Sequence, residues 1–212
     1  MCSGFINKNI TIVKPVKRKM VCTAFKTDKE FIRKEMLRCR DNLSSHEVIN
    51  LSQKIEINLF SWKKFLNCDH ILYYLSFDNE VRTDSMIARS LRLGKKVYVP
   101  RILKKSEKME ICEIKSMKTK FMLNSLGIRE PCEANIKIVS PLKIGVVVTP
   151  GLAFDGSGGR IGFGRGYYDK LFVELPKRSL RIGLAYDFQR VKSLLQDPWD
   201  NKVDKVITET NK

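Results

Sequence analysis

Histidine is almost missing from this chain: 212 residues contain two, His46 and His70. A nucleophile activated by a histidine base needs a well-placed imidazole, and with only two histidines a Ser-His or Cys-His triad is not the expected chemistry. His46 falls at an expected helix start and His70 just before an expected strand, both ordinary polar positions. The six cysteines (Cys2, Cys22, Cys39, Cys68, Cys112 and Cys132) form no Cys-x-x-Cys pair and meet neither histidine at zinc-ligand spacing. They read as reduced thiols of a cytosolic-type compartment, so a cytoplasmic protein is expected. No apolar run approaches the roughly 20 residues that span a bilayer, so a soluble protein with no membrane partner is expected. Long internal repeats are also missing.

Acidic residues are the other shortage. Aspartate and glutamate number 23 against 40 lysines and arginines, a net charge of +17. Such an excess suits nucleic acid, an acidic membrane or small polyanions. The positive charge is spread along the chain and interleaved with acids, as in Lys104-Lys-Ser-Glu-Lys-Met-Glu110. No RNA-binding signature, helix-turn-helix pattern or basic zipper is present. The excess therefore reads as a solvated surface with a cationic cleft, and no nucleic-acid partner is expected. Residues 1–26 contain no acid at all. Two readings of that segment stand side by side, an organelle-targeting extension and a disordered basic tail. Residues 27–212 read as a single domain, and a monomer is expected from size.

What the chain does have is glycine in one place. Six of its twelve glycines lie between positions 156 and 166, in Asp155-Gly-Ser-Gly-Gly-Arg-Ile-Gly-Phe-Gly-Arg-Gly166. The apolar run 144–149 leads in, and Tyr167-Tyr-Asp-Lys-Leu-Phe172 reads as a helix leading out. Strand, glycine loop and helix start together offer uncovered N–H groups and a partial positive charge, which suits phosphate. Arg160 and Arg165 can fork onto phosphate oxygens. The stretch is not the Walker loop, and Ile161 stands where a dinucleotide fingerprint needs its third glycine.

Elsewhere, Thr27-Asp-Lys-Glu30 reads as a capping box opening a helix with Ile32, Met36, Cys39 and Leu43 inside. Lys29 and Arg33 share another face of that helix. Ser44-Ser-His-Glu47 opens a second helix, with Val48, Leu51, Ile55 and Leu59 inside. Strands are expected at 71–76, 96–102 (ended by Pro100), 109–114, 144–149, 181–186 and 203–208. Helices are expected at 83–93 and 189–195. Residues 116–143 read as irregular, with a tight loop at 127–131. The spacing predicts an α/β fold with a mainly parallel sheet covered on both faces. Ligands then bind beyond the strand C-termini, where the loops 76–80, 150–167 and 186–190 are expected to meet.

The pattern Val148-Thr-Pro-Gly-Leu-Ala-Phe-Asp155 followed by Gly159-Arg-Ile-Gly-Phe-Gly-Arg-Gly-Tyr-Tyr-Asp169 resembles the signature of 5-formyltetrahydrofolate cyclo-ligases, also called methenyltetrahydrofolate synthetases. Tyr74-Leu-Ser-Phe-Asp-Asn-Glu80, Val99-Pro-Arg-Ile102, Gly127-Ile-Arg-Glu-Pro131 and Asp200-x-x-Val-Asp204 follow the family's order, so the likeness covers about 27–208. The resemblance implies a three-layer α/β/α sandwich with the glycine-rich loop at the C-terminal edge of the strands. It implies ATP- and Mg²⁺-dependent closure of 5-formyltetrahydrofolate to 5,10-methenyltetrahydrofolate with release of ADP and phosphate.

Carried onto this chain, it places ATP on Lys29, Arg33, Arg160, Ile161, Gly162, Phe163, Gly164, Arg165, Gly166, Tyr167 and Tyr168. It places the folate on Leu75 and Glu80 and on Phe163, Gly164, Arg165, Gly166 and Tyr167. Asp169 and Asp200 would hold magnesium, and Arg165 and Tyr167 would be catalytic. Read without the resemblance, Asp169 is a helix-start acid and Asp200 a turn residue. Two positions depart from the family pattern: Arg165 stands where lysine is common, and Phe163 where a polar or basic residue is frequent. A fold relative acting on another phosphorylated ligand and a non-enzymatic basic binding protein are the competing readings.

Overall fold

The computed structural model describes residues 28–103, 108–125, 127–132 and 136–210. The expected N-terminal extension, residues 1–26, lies outside them, as do Thr27, Cys2 and Cys22. The four described cysteines are free thiols. No helix among the described residues is long and apolar enough to cross a membrane.

Helix α1, Lys29–Asp41, is capped by Asp28, whose Oδ1 accepts the Glu30 N–H at 3.2 Å. The cap is thus Asp28 and not the Thr27 of the expected box. Met36 is buried as expected, but the next residue on that stripe is Arg40, also buried, while Ile32, Cys39 and Leu43 are half-buried. Helix α2, Ser45–Ser61, has the full capping box: Ser44 Oγ accepts from Glu47 N, and Glu47 Oε2 accepts from Ser44 N at 2.9 Å. Val48, Ile55 and Leu59 are fully buried. One turn of helix, α3 (Lys63–Leu66), leads to strand β1, His70–Leu72. Helix α4, Asp84–Arg92, ends before Gly94, whose φ of 75° provides the left-handed stop.

The central sheet also uses β2 (Lys96–Leu103), β3 (Lys108–Ile114), β6 (Ile138–Val139), β7 (Val146–Thr149), β10 (Leu180–Leu184) and β12 (Lys205–Ile207). Its order is β12-β10-β7-β1-β2-β3-β6. The pairings from β12 to β2 are parallel, and those of β3 with β2 and β6 antiparallel. Tyr73, Val97, Val99, Val146 and Val148 pack against α2 and α4 on one face. Leu72, Tyr98 and Val147 meet Leu171 and Phe172 of helix α5 (Tyr167–Glu174) on the other. This is the expected α/β/α sandwich. Burying Leu171 and Phe172 contributes about 1.5–3 kcal/mol each, which fixes α5 and the loop before it against the sheet.

Several local expectations differ. The strand expected at 71–76 leaves the ladder after Leu72, because the Thr83 hydroxyl takes the Tyr74 carbonyl at 2.7 Å. Pro100 does not end β2. Beyond Tyr98 the strand has no parallel neighbour on its β1 side, so a missing N–H is tolerated there. Residues 116–143 are not irregular throughout. They hold the hairpin β4 (Phe121–Leu123) and β5 (Arg129–Pro131), turned near Gly127 at φ 75°, then β6 and a 3-10 turn at Pro141–Lys143. The helix expected at 189–195 is replaced by a 3-10 turn, Asp187–Gln189, and strand β11, Arg190–Val191. The Gln189 amide is buried there and donates to Gly151 O and Leu152 O.

Candidate active site

The glycine-rich stretch is two structures, not one loop. Its first half turns a hairpin between β8 (Ala153–Asp155) and β9 (Arg160–Ile161). The Asp155 carboxylate fills this turn, accepting from Ser157 N, Ser157 Oγ, Gly159 N and Leu194 N. Burial pushes its pKa up, but these hydrogen bonds outweigh burial and hold the carboxyl below its ordinary value. Gly158 has φ 84°, and a Cβ there would lie 2.2 Å from Val203 O. Gly158, Gly159 and Asp155 therefore serve the turn and not a ligand.

The second half, 162–166, is open. Gly164 (φ 92°) and Gly166 (φ 65°) let the backbone arch into α5, and Gly166 is its N-cap. Among the described residues no backbone carbonyl accepts from the amides of 163–166. The first-turn amides of α5 have no helical acceptor behind them either. This arch faces a cavity of about 890 Å³. Every site residue expected from the sequence lines it, from Lys29 and Arg33 through Leu75 and Glu80 to Asp169 and Asp200. The loops 76–80 and 150–167 thus meet as expected. The loop 186–190 touches both, through Gln189 Nε2 on Gly151 O and Leu152 O and a water-sized space shared with Glu80, but it does not line the main cavity.

The basic residues of the site are mostly engaged. Lys29 at the start of α1 bonds Asp197 Oδ2 at 2.6 Å and also Asp200 Oδ2. Partial desolvation opposes its charge, but the two aspartates prevail and its pKa lies above the ordinary lysine value. Arg33 Nε donates to Gly162 O at 3.0 Å, so α1 pins the arch. Arg160 is buried, and its Nη2 reaches both oxygens of Asp169 at 3.0 Å. Its guanidinium sits 5.7 Å from the Tyr168 ring and 5.6 Å from that of Phe172. Arg165 differs: it is exposed and makes no ion pair or hydrogen bond among the described residues. Asp169 is more than a helix-start acid, because Asn201 N donates to its Oδ1 at 3.0 Å and docks the 197–201 turn against α5. Among the described residues no three His, Cys, Asp or Glu side chains cluster to hold a metal.

At the other end lie Leu75 and Glu80. A tight turn joins Phe77 to Glu80, and Asn79 Nδ2 donates to Arg40 O and Leu43 O, strapping the turn to the end of α1. Glu80 is 4% exposed, with its Oε1 3.8 Å from Arg40 Nη1. That oxygen has no hydrogen-bond donor. Burial pushes the Glu80 pKa up to about 7, with Arg40 and the Phe77 N–H opposing. A buried acceptor that lines a cavity and lacks a donor suits a ligand with N–H groups. Phe163, 42% exposed, lies 5.5 Å from Phe77 and 5.7 Å from the Arg40 guanidinium.

Sequence reasoning missed Asp197 and Asn201 and the apolar flank of Ile102, Met109 and Ile128 in the cavity wall, and Arg40 behind Glu80. Arg40 was within reach, since it falls four residues after Met36 on the buried stripe. Asp197 was visible only as part of a turn.

A model of the 5-formyltetrahydrofolate cyclo-ligase family matches residues 25–209. The 5-formyltetrahydrofolate cyclo-ligase of Haemophilus influenzae is 31% identical over 172 residues, 80% of this chain and 91% of that protein. A probable 5-formyltetrahydrofolate cyclo-ligase of Caenorhabditis elegans is 30% identical over 197 residues, 88% of this chain and 95% of the relative. The solution structure of Aquifex aeolicus 5,10-methenyltetrahydrofolate synthetase superposes with a TM-score of 0.75 at 33% identity, covering 86% of this chain and 90% of that one.

Proposed function

The chain belongs to the 5-formyltetrahydrofolate cyclo-ligase family, and from that premise we propose that it closes 5-formyltetrahydrofolate to 5,10-methenyltetrahydrofolate at the expense of ATP. The cavity carries this reading. One space of about 890 Å³ has at one end a buried acid with one oxygen that lacks a donor, carboxylates at the other, and an arch of glycine amides between them.

The formyl oxygen is a poor leaving group. In the proposed reaction it attacks the terminal phosphorus of ATP, and ADP departs. N10 then attacks the activated carbon and so closes the ring, phosphate leaves, and the N10 proton is lost. Catalysis of this type is mostly positioning and charge neutralisation. Glu80 accepts pterin N–H groups, and Leu75 and Phe163 hold the ring edge and face. The amides of 162–168 take the phosphate oxygens. Arg165, the exposed guanidinium on this wall, meets the transferred phosphoryl group, with Tyr167 beside it. Lys29 and Arg33 reach the same phosphates from α1, Lys29 by exchanging Asp197 and Asp200 for ATP oxygens. Arg160 acts through Asp169, which it grips.

Asp169 and Asp200 would hold Mg²⁺. The donor set fits: both are hard oxygen donors on one wall, and nucleotide-bound magnesium takes only one or two protein carboxylates. The Lys29 ammonium already bridges Asp197 and Asp200, so this wall accepts a cation between carboxylates. Bound there, the ion would neutralise charge on the phosphate tail.

The direct test follows the near-ultraviolet absorbance of the methenyl product from 5-formyltetrahydrofolate, with and without Mg-ATP. Product that forms only with Mg-ATP is expected. No product with both substrates present overturns the reading.

A further inference from the structure

We propose that Trp199 is the stacking platform for the nucleotide base, and so the residue that makes the site prefer a nucleoside triphosphate over a bare polyphosphate; this rests on the ATP reading above. Trp199 is 70% exposed. Among the described residues its ring meets no other aromatic ring and no cation. A single exposed indole is unremarkable by itself. This one lines the main cavity, and its backbone is clamped. Asn201 Nδ2 donates to Trp199 O at 3.1 Å and to Asp169 O at 3.2 Å, and Asp200 N closes the turn on Asp197 O. The ring is therefore mounted on a fixed turn against the first turn of α5.

Position supplies the assignment. The terminal phosphate must reach a formyl group held at the Glu80 end, so the nucleoside trails away from that end. Helix α5 runs from the phosphate arch, and Val173 lies six residues past Tyr167, about 9 Å along the axis. Val173 is 76% exposed and lines the same cavity, as does Pro198. The mouth beyond the carboxylates is thus an apolar patch with an indole in it, next to a wall built for phosphate. A flat aromatic ligand portion joined to a phosphate tail matches that pair of surfaces. Stacking on an indole tolerates any base.

The second tryptophan makes the idea measurable. Trp62 caps α2 with Lys205 5.0 Å from its ring and does not line the cavity. In W62F, Trp199 is the sole tryptophan, and excitation at the red edge of the indole band leaves the six tyrosines dark. Mg-ATP and Mg-GTP should both quench its emission, and tripolyphosphate should not. Trp199→Ala should raise KM for ATP about tenfold or more, with a smaller change in kcat and none in KM for 5-formyltetrahydrofolate. Trp199→Phe should restore most of the loss, and tripolyphosphate should inhibit both variants as it does the parent. Unaltered emission at an ATP concentration that calorimetry shows to be saturating overturns the proposal. So does an unchanged KM for ATP in Trp199→Ala. Calorimetry that finds no ATP binding to the unmutated protein overturns the ATP reading itself, and this inference with it.

Discussion

The two halves of the glycine-rich stretch share a composition and positive-φ glycines, and differ in what surrounds them. In 155–159 two of the three glycines make room, Gly159 for the Asp155 carboxylate and Gly158 for the Val203 carbonyl, while a Cβ at Gly156 would meet nothing. In 162–166 they expose backbone: a Cβ at Gly166 would meet nothing within 4 Å, and one at Gly164 only the Arg33 guanidinium at 3.7 Å. A run of glycines is thus not evidence of a phosphate loop until each is asked what its missing side chain would strike. Here a tight turn and an open arch are spliced together by the two residues of β9.

The contrast is sharpest at Gly158. An alanine there meets both a positive φ and a backbone oxygen at 2.2 Å. Gly158→Ala should cost about 3 kcal/mol or more in chemical denaturation, while the protein that remains folded keeps its KM for ATP. Near-normal stability would mean that the turn is as loose as the arch. The second effect concerns what the arch faces. Glu80 has its pKa raised in the fold to about 7, so the folded protein holds that proton to higher pH than the unfolded chain. Stability from this group is complete below about 4.5 and declines as pH climbs to about 7, by roughly 3 kcal/mol in all. Glu80→Gln should abolish that decline in denaturant titrations across the window, and should also weaken folate binding. A parallel pH profile in the variant would show that Glu80 is not desolvated.

Arg165→Ala should cut turnover at least about tenfold, the loss of a charge-assisted contact of roughly 1.5–3 kcal/mol, with no change in melting temperature. Unchanged kinetics would remove Arg165 from the chemistry and leave the arch to its amides. The smallest effect is expected at Gly166. Its φ of 65° disfavours a side chain, but the space is empty, so Gly166→Ala should cost only about 1 kcal/mol. A loss as large as that of Gly158→Ala would erase the distinction between the halves.

The layers of the fold were legible because apolar periodicity reports burial directly. The strands at Val97, Val146 and Ile182 and the helix after Ser44 were readable from spacing and one capping box. The site was legible as a set of residues but not as a set of partners. Arg160 and Asp169 both belong to one motif, yet nothing in their spacing says that they grip each other, because the β8–β9 hairpin that aims Arg160 is hidden inside what reads as one loop. The late turn at Gln189 was misread for a related reason. A buried amide satisfying Gly151 O and Leu152 O looks, in sequence, like any helix-tolerant polar residue. Arg40 could have been placed by its period, four residues after Met36 on the buried stripe of α1, but nothing in the sequence shows its partner Glu80.

Lys29 and the two aspartates that hold it are 168 and 171 positions apart. The wall that would grip a nucleotide is therefore stitched from opposite ends of the described polypeptide. During synthesis, a ribosome that has made the arch, the Glu80 end and every strand of the central sheet except β12 has still not made Asp197 or Asp200. A product released before those positions should show a cavity with one side missing and a sheet without β12, and should fail to hold ATP.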